Sequence, residues 1–167
     1  MTDAAPTPAA PARPRVLVID DELGPRESLR MLLKIECDVA CAASVTEGVR
    51  QFRAAPPDLV VLDIRMPDRN GIDGLREIRA LDPCVSVIML TGYGTLETAQ
   101  EALRLGATDY LKKPFDTAEI FRVVREAIRR TARERQRRRA EAELQEMHRR
   151  LADQLSHQDR LAQLGQR

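Results

Sequence analysis

Apolar residues fall along this chain in two alternating rhythms. Runs of strand length, VLVID (16–20), DVACA (38–42), LVVLD (59–63), VSVIML (85–90) and DYLK (109–112), are separated by stretches with helical spacing, at 25–35, 45–54, 72–80 and 95–105. A fifth helical stretch opens after KKPFD and carries Ile120, Val123, Val124, Ala127 and Ile128 on one face. Three of the strand runs are apolar almost throughout, as strands covered on both faces are. The alternation predicts an α/β fold of (βα)5 type, a doubly wound parallel five-stranded sheet with helices on both sides. DVACA, short and rich in small residues, carries the weakest strand signal.

The fifth helix has no stop signal. From 116 to 164 there is no Gly or Pro, and Ala, Glu, Arg, Gln and Leu dominate, so an extended C-terminal helix is expected. Leu144, Met147, Leu151, Leu155, Gln158 and Ala162 follow one another at 3, 4, 4, 3 and 4 residues, a heptad seam with one stutter. That seam predicts a short parallel coiled-coil homodimer. Upstream, RRTARERQRRR (129–139) holds seven Arg. An extended basic helix can meet nucleic acid phosphates, but acids return at once, no aromatic interleaves and no helix-turn-helix follows, which favours a solvated face over nucleic acid. At the other end MTDAAPTPAAPARP has four Pro and five Ala and nothing large to bury, the composition of a disordered leader. The expected organisation is a leader at 1–14, a globular domain at 15–130 and a helical linker or tail at 131–167.

Charge sharpens that division. The 27 basic and 26 acidic residues nearly cancel, yet residues 129–167 carry 11 Arg against 6 acids and the remainder is net acidic. Cys37, Cys41 and Cys84 lack metal-ligand spacing and are odd in number, which points to small packed residues in a reducing compartment rather than to a disulfide framework. No apolar run approaches the ~20 residues of a membrane span, so a cytoplasmic location is expected.

The polar residues that interrupt the pattern gather at strand ends. Asp20 and Asp21 follow the first strand, Asp63 ends the third, Thr91 the fourth and Lys113 the fifth. In an open parallel sheet, ligands bind beyond the carboxyl ends of the strands. Adjacent acids raise the cost of ionising one another, so a cation is expected among them. Oxygen donors of this kind suit Mg²⁺, which takes one or two carboxylates and keeps several waters. Acids after a strand also cap the next helix, and DDE alone does not separate the two uses.

Four segments, VLVIDDE, LVVLDIRMPDRNGIDGL, VIMLTGYG and LGATDYLKKPF, in this order and at these separations, resemble the receiver domain of bacterial two-component response regulators, the chemotaxis-regulator-like, flavodoxin-like fold. The resemblance covers about residues 15–130. It implies a phosphoacceptor at Asp63, taking a phosphoryl group from a histidine kinase or phosphotransfer protein. It implies Mg²⁺ held by Asp21, Asp63 and the backbone carbonyl of Arg65, with Asp20 directly or through a water. Lys113, Thr91 and the backbone of Gly92 would stabilise the phosphoryl oxygens. Thr91 and Tyr110 would form the switch, and the Lys113–Pro114 bond would be cis, aiming the ammonium inward. Lys112 is then the bystander. Gly71, Gly92 and Gly94 read as turn residues at positive φ. Arg65 and Tyr93 occupy positions that vary within the family and border the route for water.

Taken singly, each residue has a plainer use: Lys113 as a solvated lysine, Thr91 as a cap, Tyr110 as packing. Two other readings of the whole are a non-phosphorylated receiver-like interaction module and a Mg²⁺-dependent phosphatase of the haloacid dehalogenase type. The latter wants a second Asp two residues after the nucleophile, where this chain has Arg65. The end, HQDRLAQLGQR, is similar to the linker ahead of a histidine kinase dimerisation domain, which implies the N-terminal receiver fragment of a hybrid kinase cut off before its kinase core. The chemistry expected of the chain is limited to accepting the phosphoryl group and losing it by hydrolysis.

Overall fold

The computed structural model describes residues 12–165, and it divides after Thr131 into two compact units. The first contains β1 (Arg15–Ile19), α1 (Leu23–Leu33), β2 (Asp38–Ala42), α2 (Val45–Ala54), β3 (Leu59–Asp63), α3 (Gly71–Leu81), β4 (Ser86–Thr91), α4 (Leu96–Arg104), β5 (Asp109–Lys112) and the start of α5 (Thr117–Leu164). All neighbouring strands are parallel, in the order β2-β1-β3-β4-β5. The expected (βα)5 architecture is therefore the observed one, with strand ends displaced by one residue in β1 and β4.

Side chains alternate across the sheet and build two cores. Leu17, Ile19, Val60, Leu62, Val87 and Met89 point to the face covered by α2, α3 and α4. Val16, Val18, Leu59, Val61, Ile88 and Leu90 point to the other, where Leu29 and Leu33 of α1 and Ile120, Val123, Val124 and Ala127 of α5 cover them. β3 and β4 are buried along their whole length, which explains their continuous apolar runs. β2 lies at an edge and is half-buried, which explains the weaker pattern of DVACA.

Helix starts follow the cap chemistry of their sequences. Ser44 accepts from the Glu47 N–H at 3.1 Å, Asn70 from the Ile72 N–H at 2.9 Å, and Asp116 from the Ala118 N–H at 2.6 Å. Thr95 and Thr98 exchange side-chain bonds to each other's backbone at the start of α4. Asp68, in the loop after β3, accepts from the Val45 and Thr46 N–H groups at 3.4 and 3.2 Å and so ties that loop to the start of α2.

The expectation of positive φ at Gly71, Gly92 and Gly94 is corrected. Among the described residues the glycine with positive φ is Gly106, at 93°. Gly71 answers to a close approach: a Cβ there would overlap the carbonyl oxygen of Asp63 and lie 2.8 Å from the Ile64 Cα. The missing side chain lets the start of α3 sit directly on the backbone that carries Asp63.

Residues 1–11 of the expected leader lie outside the described residues, whereas Arg13 and Pro14 are held in place. Arg13 donates to the Lys34 carbonyl and, at 3.3 Å, to that of Cys37, while Pro14 accepts from the Asp38 N–H at 2.9 Å. At the other boundary Thr131 is fully buried, one residue past the expected end of the globular domain. α5 continues without interruption to Leu164, and Leu144, Met147, Leu151 and Leu155 on it are exposed. Cys37, Cys41 and Cys84 are free, with Cys37 buried and the others half-buried. Among the described residues no helix is long and apolar enough to cross a membrane.

Candidate functional site

Strand order reverses between β1 and β3, since the chain leaves β1 toward β2 on one side and later builds β3, β4 and β5 on the other. The carboxyl ends of these two strands open a crevice there. Asp20 immediately follows β1 and Asp63 closes β3, and both are buried, at 1% and 4% exposure. Thr91 closes β4, and Lys113 follows β5 with its N–H donating to the Thr91 carbonyl at 2.7 Å. Four positions far apart in sequence thus meet at one edge.

Lys113 joins the two buried acids. Its Nζ donates to Asp20 Oδ2 at 2.8 Å and to Asp63 Oδ2 at 3.1 Å. The other oxygen of each acid takes a backbone donor, Glu22 N–H on Asp20 Oδ1 at 2.9 Å and Arg65 N–H on Asp63 Oδ1 at 3.2 Å. Asp20 therefore holds the turn ahead of α1 without capping the helix, and faces the Lys113 ammonium. Lys112 is exposed and stands apart from this bridge.

Burial pushes the Asp63 carboxyl above its ordinary value, against the pull of Lys113, because a charge in this crevice is poorly solvated. Burial alone would pull the Lys113 ammonium down, but its hydrogen bonds to Asp20 and Asp63 outweigh that and hold it above the usual lysine range. Asp21, exposed beside them, adds a third carboxylate. One oxygen from each of Asp20, Asp21 and Asp63 lies within 4.8 Å of the others, so the three can hold a metal ion. The donors are all hard oxygens, and one ammonium leaves three acids under-neutralised. That charge and donor set fit a small divalent cation.

The other expected residues surround this centre. Gly92 is exposed in the loop after β4 and has open space where a side chain would begin. Thr91 is buried, and its Oγ1 accepts from the Tyr93 N–H at 3.2 Å. Tyr110 is half-buried, with its hydroxyl oxygen buried and unpaired. The Lys113–Pro114 bond is cis. Arg65 is exposed, and its guanidinium carbon lies 5.3 Å from the centroid of the Tyr93 ring.

Three contributors were not identified from the sequence. Arg26 donates to the Asp20 carbonyl at 2.6 Å from the first turn of α1. Asp68 anchors the loop after Asp63. Ser86, at the start of β4, donates its N–H to Thr131 Oγ1 at 2.9 Å and its hydroxyl to the Ala127 carbonyl at 2.8 Å, bolting α5 to the strand that ends in Thr91. A serine heading an apolar strand was the visible irregularity, but its partner lies 45 residues away.

The model of the response regulator receiver domain matches residues 16–125. The regulatory protein AtoC of Escherichia coli is 39% identical over 115 residues, 68% of this chain and 25% of AtoC. This chain thus spans about a quarter of that relative's length. Among solved structures, a receiver domain from Clostridium thermocellum is 38% identical with a TM-score of 0.68, covering 71% of this chain and 97% of its own. A CheY-like receiver domain protein from Methanospirillum hungatei is 29% identical with a TM-score of 0.71, covering 74% and 99%. A five-stranded parallel sheet with paired acids, Thr91 and Lys113 at its carboxyl edge, and a family match over residues 16–125, lead to one statement: the chain belongs to the response regulator receiver domain family.

Proposed function

We propose that Asp63 accepts the phosphoryl group from a phosphohistidine of a histidine kinase or phosphotransfer protein, and that the chain passes the resulting state to its C-terminal helix. The observation that carries this reading is the Lys113 ammonium shared between Asp20 and Asp63 at 2.8 and 3.1 Å, in the crevice at the strand-order reversal. A cation held against a buried carboxylate is the arrangement a site needs if a second anion is to approach it.

In the proposed step an Asp63 carboxylate oxygen attacks phosphorus, the phosphorus–nitrogen bond breaks, and its electron pair leaves with the imidazole. Hydrolysis of the acyl phosphate later returns the free carboxylate. Lys113 is the point charge for the phosphoryl oxygens, and the Thr91 hydroxyl and Gly92 N–H are the neutral donors. Asp20, Asp21 and Asp63, with the Arg65 carbonyl, would hold Mg²⁺, which when bound supplies the charge that lets two anions meet. Thr91 and Tyr110 would register the phosphoryl group as a shift between two conformations. No further catalysis is assigned to the chain.

The proposed organisation is a receiver ending at Thr131 and a helical linker beyond it that pairs with a second copy. The exposed seam of Leu144, Met147, Leu151 and Leu155 supports the pairing, and the free cysteines support a reducing, cytoplasmic setting. The decisive experiment is incubation with acetyl phosphate and Mg²⁺ followed by mass spectrometry. One base-labile phosphoryl group on Asp63 is expected, and unchanged labelling of Asp63→Asn would overturn the assignment.

A further inference from the structure

The chain holds two tyrosines, and they differ sharply: Tyr93 is 77% exposed, whereas the Tyr110 hydroxyl is buried. Among the described residues, Tyr110 Oη is the buried side-chain polar atom without a hydrogen-bond partner. The reason for its position is Gly94. A Cβ at Gly94 would overlap that hydroxyl oxygen, and it would lie 2.8 Å from Tyr110 Cζ and 2.7 Å from Thr91 Cγ2. Gly92, in the same loop, has nothing within 4 Å of such a Cβ. Since φ is not positive at Gly94, turn geometry does not require glycine there. Space does.

We propose that Gly94 is the positioning residue for the aromatic arm of the switch, the space left by its missing Cβ being the slot that receives the tip of Tyr110 beside Thr91. The slot takes the ring but offers the hydroxyl no partner. A buried hydroxyl without a hydrogen bond loses its hydration and gains nothing, so the seat is shallow and can be emptied. Ring burial and hydroxyl desolvation oppose each other, leaving the balance to be set by whatever draws on Thr91. The inference deepens the reading of Thr91 and Tyr110 given above and rests on it for its purpose, but the seat itself exists without a phosphoryl group.

The test uses the full chain labelled with 3-fluorotyrosine and observed by fluorine NMR, with Tyr93→Phe assigning the two resonances. Without donor or metal, the Tyr110 resonance should show a solvent-shielded population. In Gly94→Ala that population should fall by about tenfold or more, the effect expected of a side chain built into occupied space, while strands β3 and β4 keep their amide protection. An unchanged shielded population in Gly94→Ala overturns the proposal. Should that variant fail to fold, Tyr110→Phe decides instead: removing the unpaired hydroxyl should slow amide exchange over residues 91–94, and faster exchange overturns the shallow seat. Acetyl phosphate and Mg²⁺ are then added to the wild-type chain. A larger shielded population supports the switch as well as the slot. No change, with the Gly94→Ala effect intact, leaves the slot standing and sinks the switch reading alone.

Discussion

Arg65 stacks on Tyr93, with 5.3 Å between the guanidinium carbon and the ring centroid, so the residue two past Asp63 and the residue two past Thr91 meet across the mouth of the site. Arg65 borders the opening that also contains Asp21 and Met66, and Tyr93 borders the one that contains Lys113 and Phe115. The pair stands where these two openings adjoin. Tyr93→Ala should unseat Arg65 and speed hydrolysis of the acyl phosphate by about two- to fivefold, the factor an exposed cation–π contact of ~0.5–1 kcal/mol represents. Decay of the phosphorylated protein after removal of donor measures it, and an unchanged lifetime discards the stack as a barrier to water.

Asp21 is the exposed member of the three acids whose oxygens lie within 4.8 Å. Asp21→Ala removes a donor and a charge without emptying a buried space. Mg²⁺ affinity should fall at least about tenfold, with acetyl phosphate labelling falling in parallel. Calorimetric titration gives the affinity, and wild-type binding in the variant would exclude these acids as the metal site.

Thr131 Oγ1 accepts the Ser86 N–H at 2.9 Å where both residues are buried. Thr131→Val keeps the volume but leaves that N–H unpaired, which should cost about 1–3 kcal/mol in urea unfolding. Thr131→Ser, which restores the oxygen, should recover most of the loss. Equal destabilisation by both would assign the effect to packing.

Asp68 gives the fold a pH dependence of known sign. Burial is the largest single influence on its carboxyl and opposes the charge, but the N–H groups of Val45, Thr46 and Arg69 and the Thr46 hydroxyl together prevail and hold it below the ordinary value. The stability from this depressed value is full above the carboxylate range of the unfolded chain and is lost as pH falls through the lower folded value. Asp68→Asn should therefore lower the midpoint of thermal unfolding at neutral pH and narrow the gap to wild type in acid. Its exposure limits the loss at neutral pH to the order of 1 kcal/mol, as for a helix cap. A gap that widens in acid would contradict the sign.

The helical unit beyond Ala132 should pair with a second copy in a concentration-dependent way. Leu144, Leu151 and Leu155 are 53%, 52% and 63% exposed, and isolated helices with fewer than three heptads of seam are marginal. Sedimentation should show a dimer at roughly tens of micromolar. Truncation after Arg135 keeps the buried Thr131 and should leave a folded monomer that still takes phosphate. A full chain that stays monomeric across that range removes the coiled coil.

Much of this molecule was determined by sequence alone because its signals are periodic and local. Continuous apolar runs mark β3 and β4 because both their faces are buried, and the absence of Gly or Pro from Asp116 to Leu164 marks an uninterrupted helix. The acids, Thr91 and Lys113 were legible because each ends or closely follows a strand, and a parallel sheet brings strand ends together. What only the tertiary structure decided is what depends on distance between strangers in sequence. Gly71 and Gly94 look like turn glycines, but the space each leaves is occupied by Asp63 or Tyr110, and no local pattern encodes an occupant. Ser86 with Thr131, Asp68 with the start of α2, and Arg65 with Tyr93 are likewise pairings of single side chains across the fold. Periodicity reports which face is buried, and it is silent on which atom meets which once that face has closed.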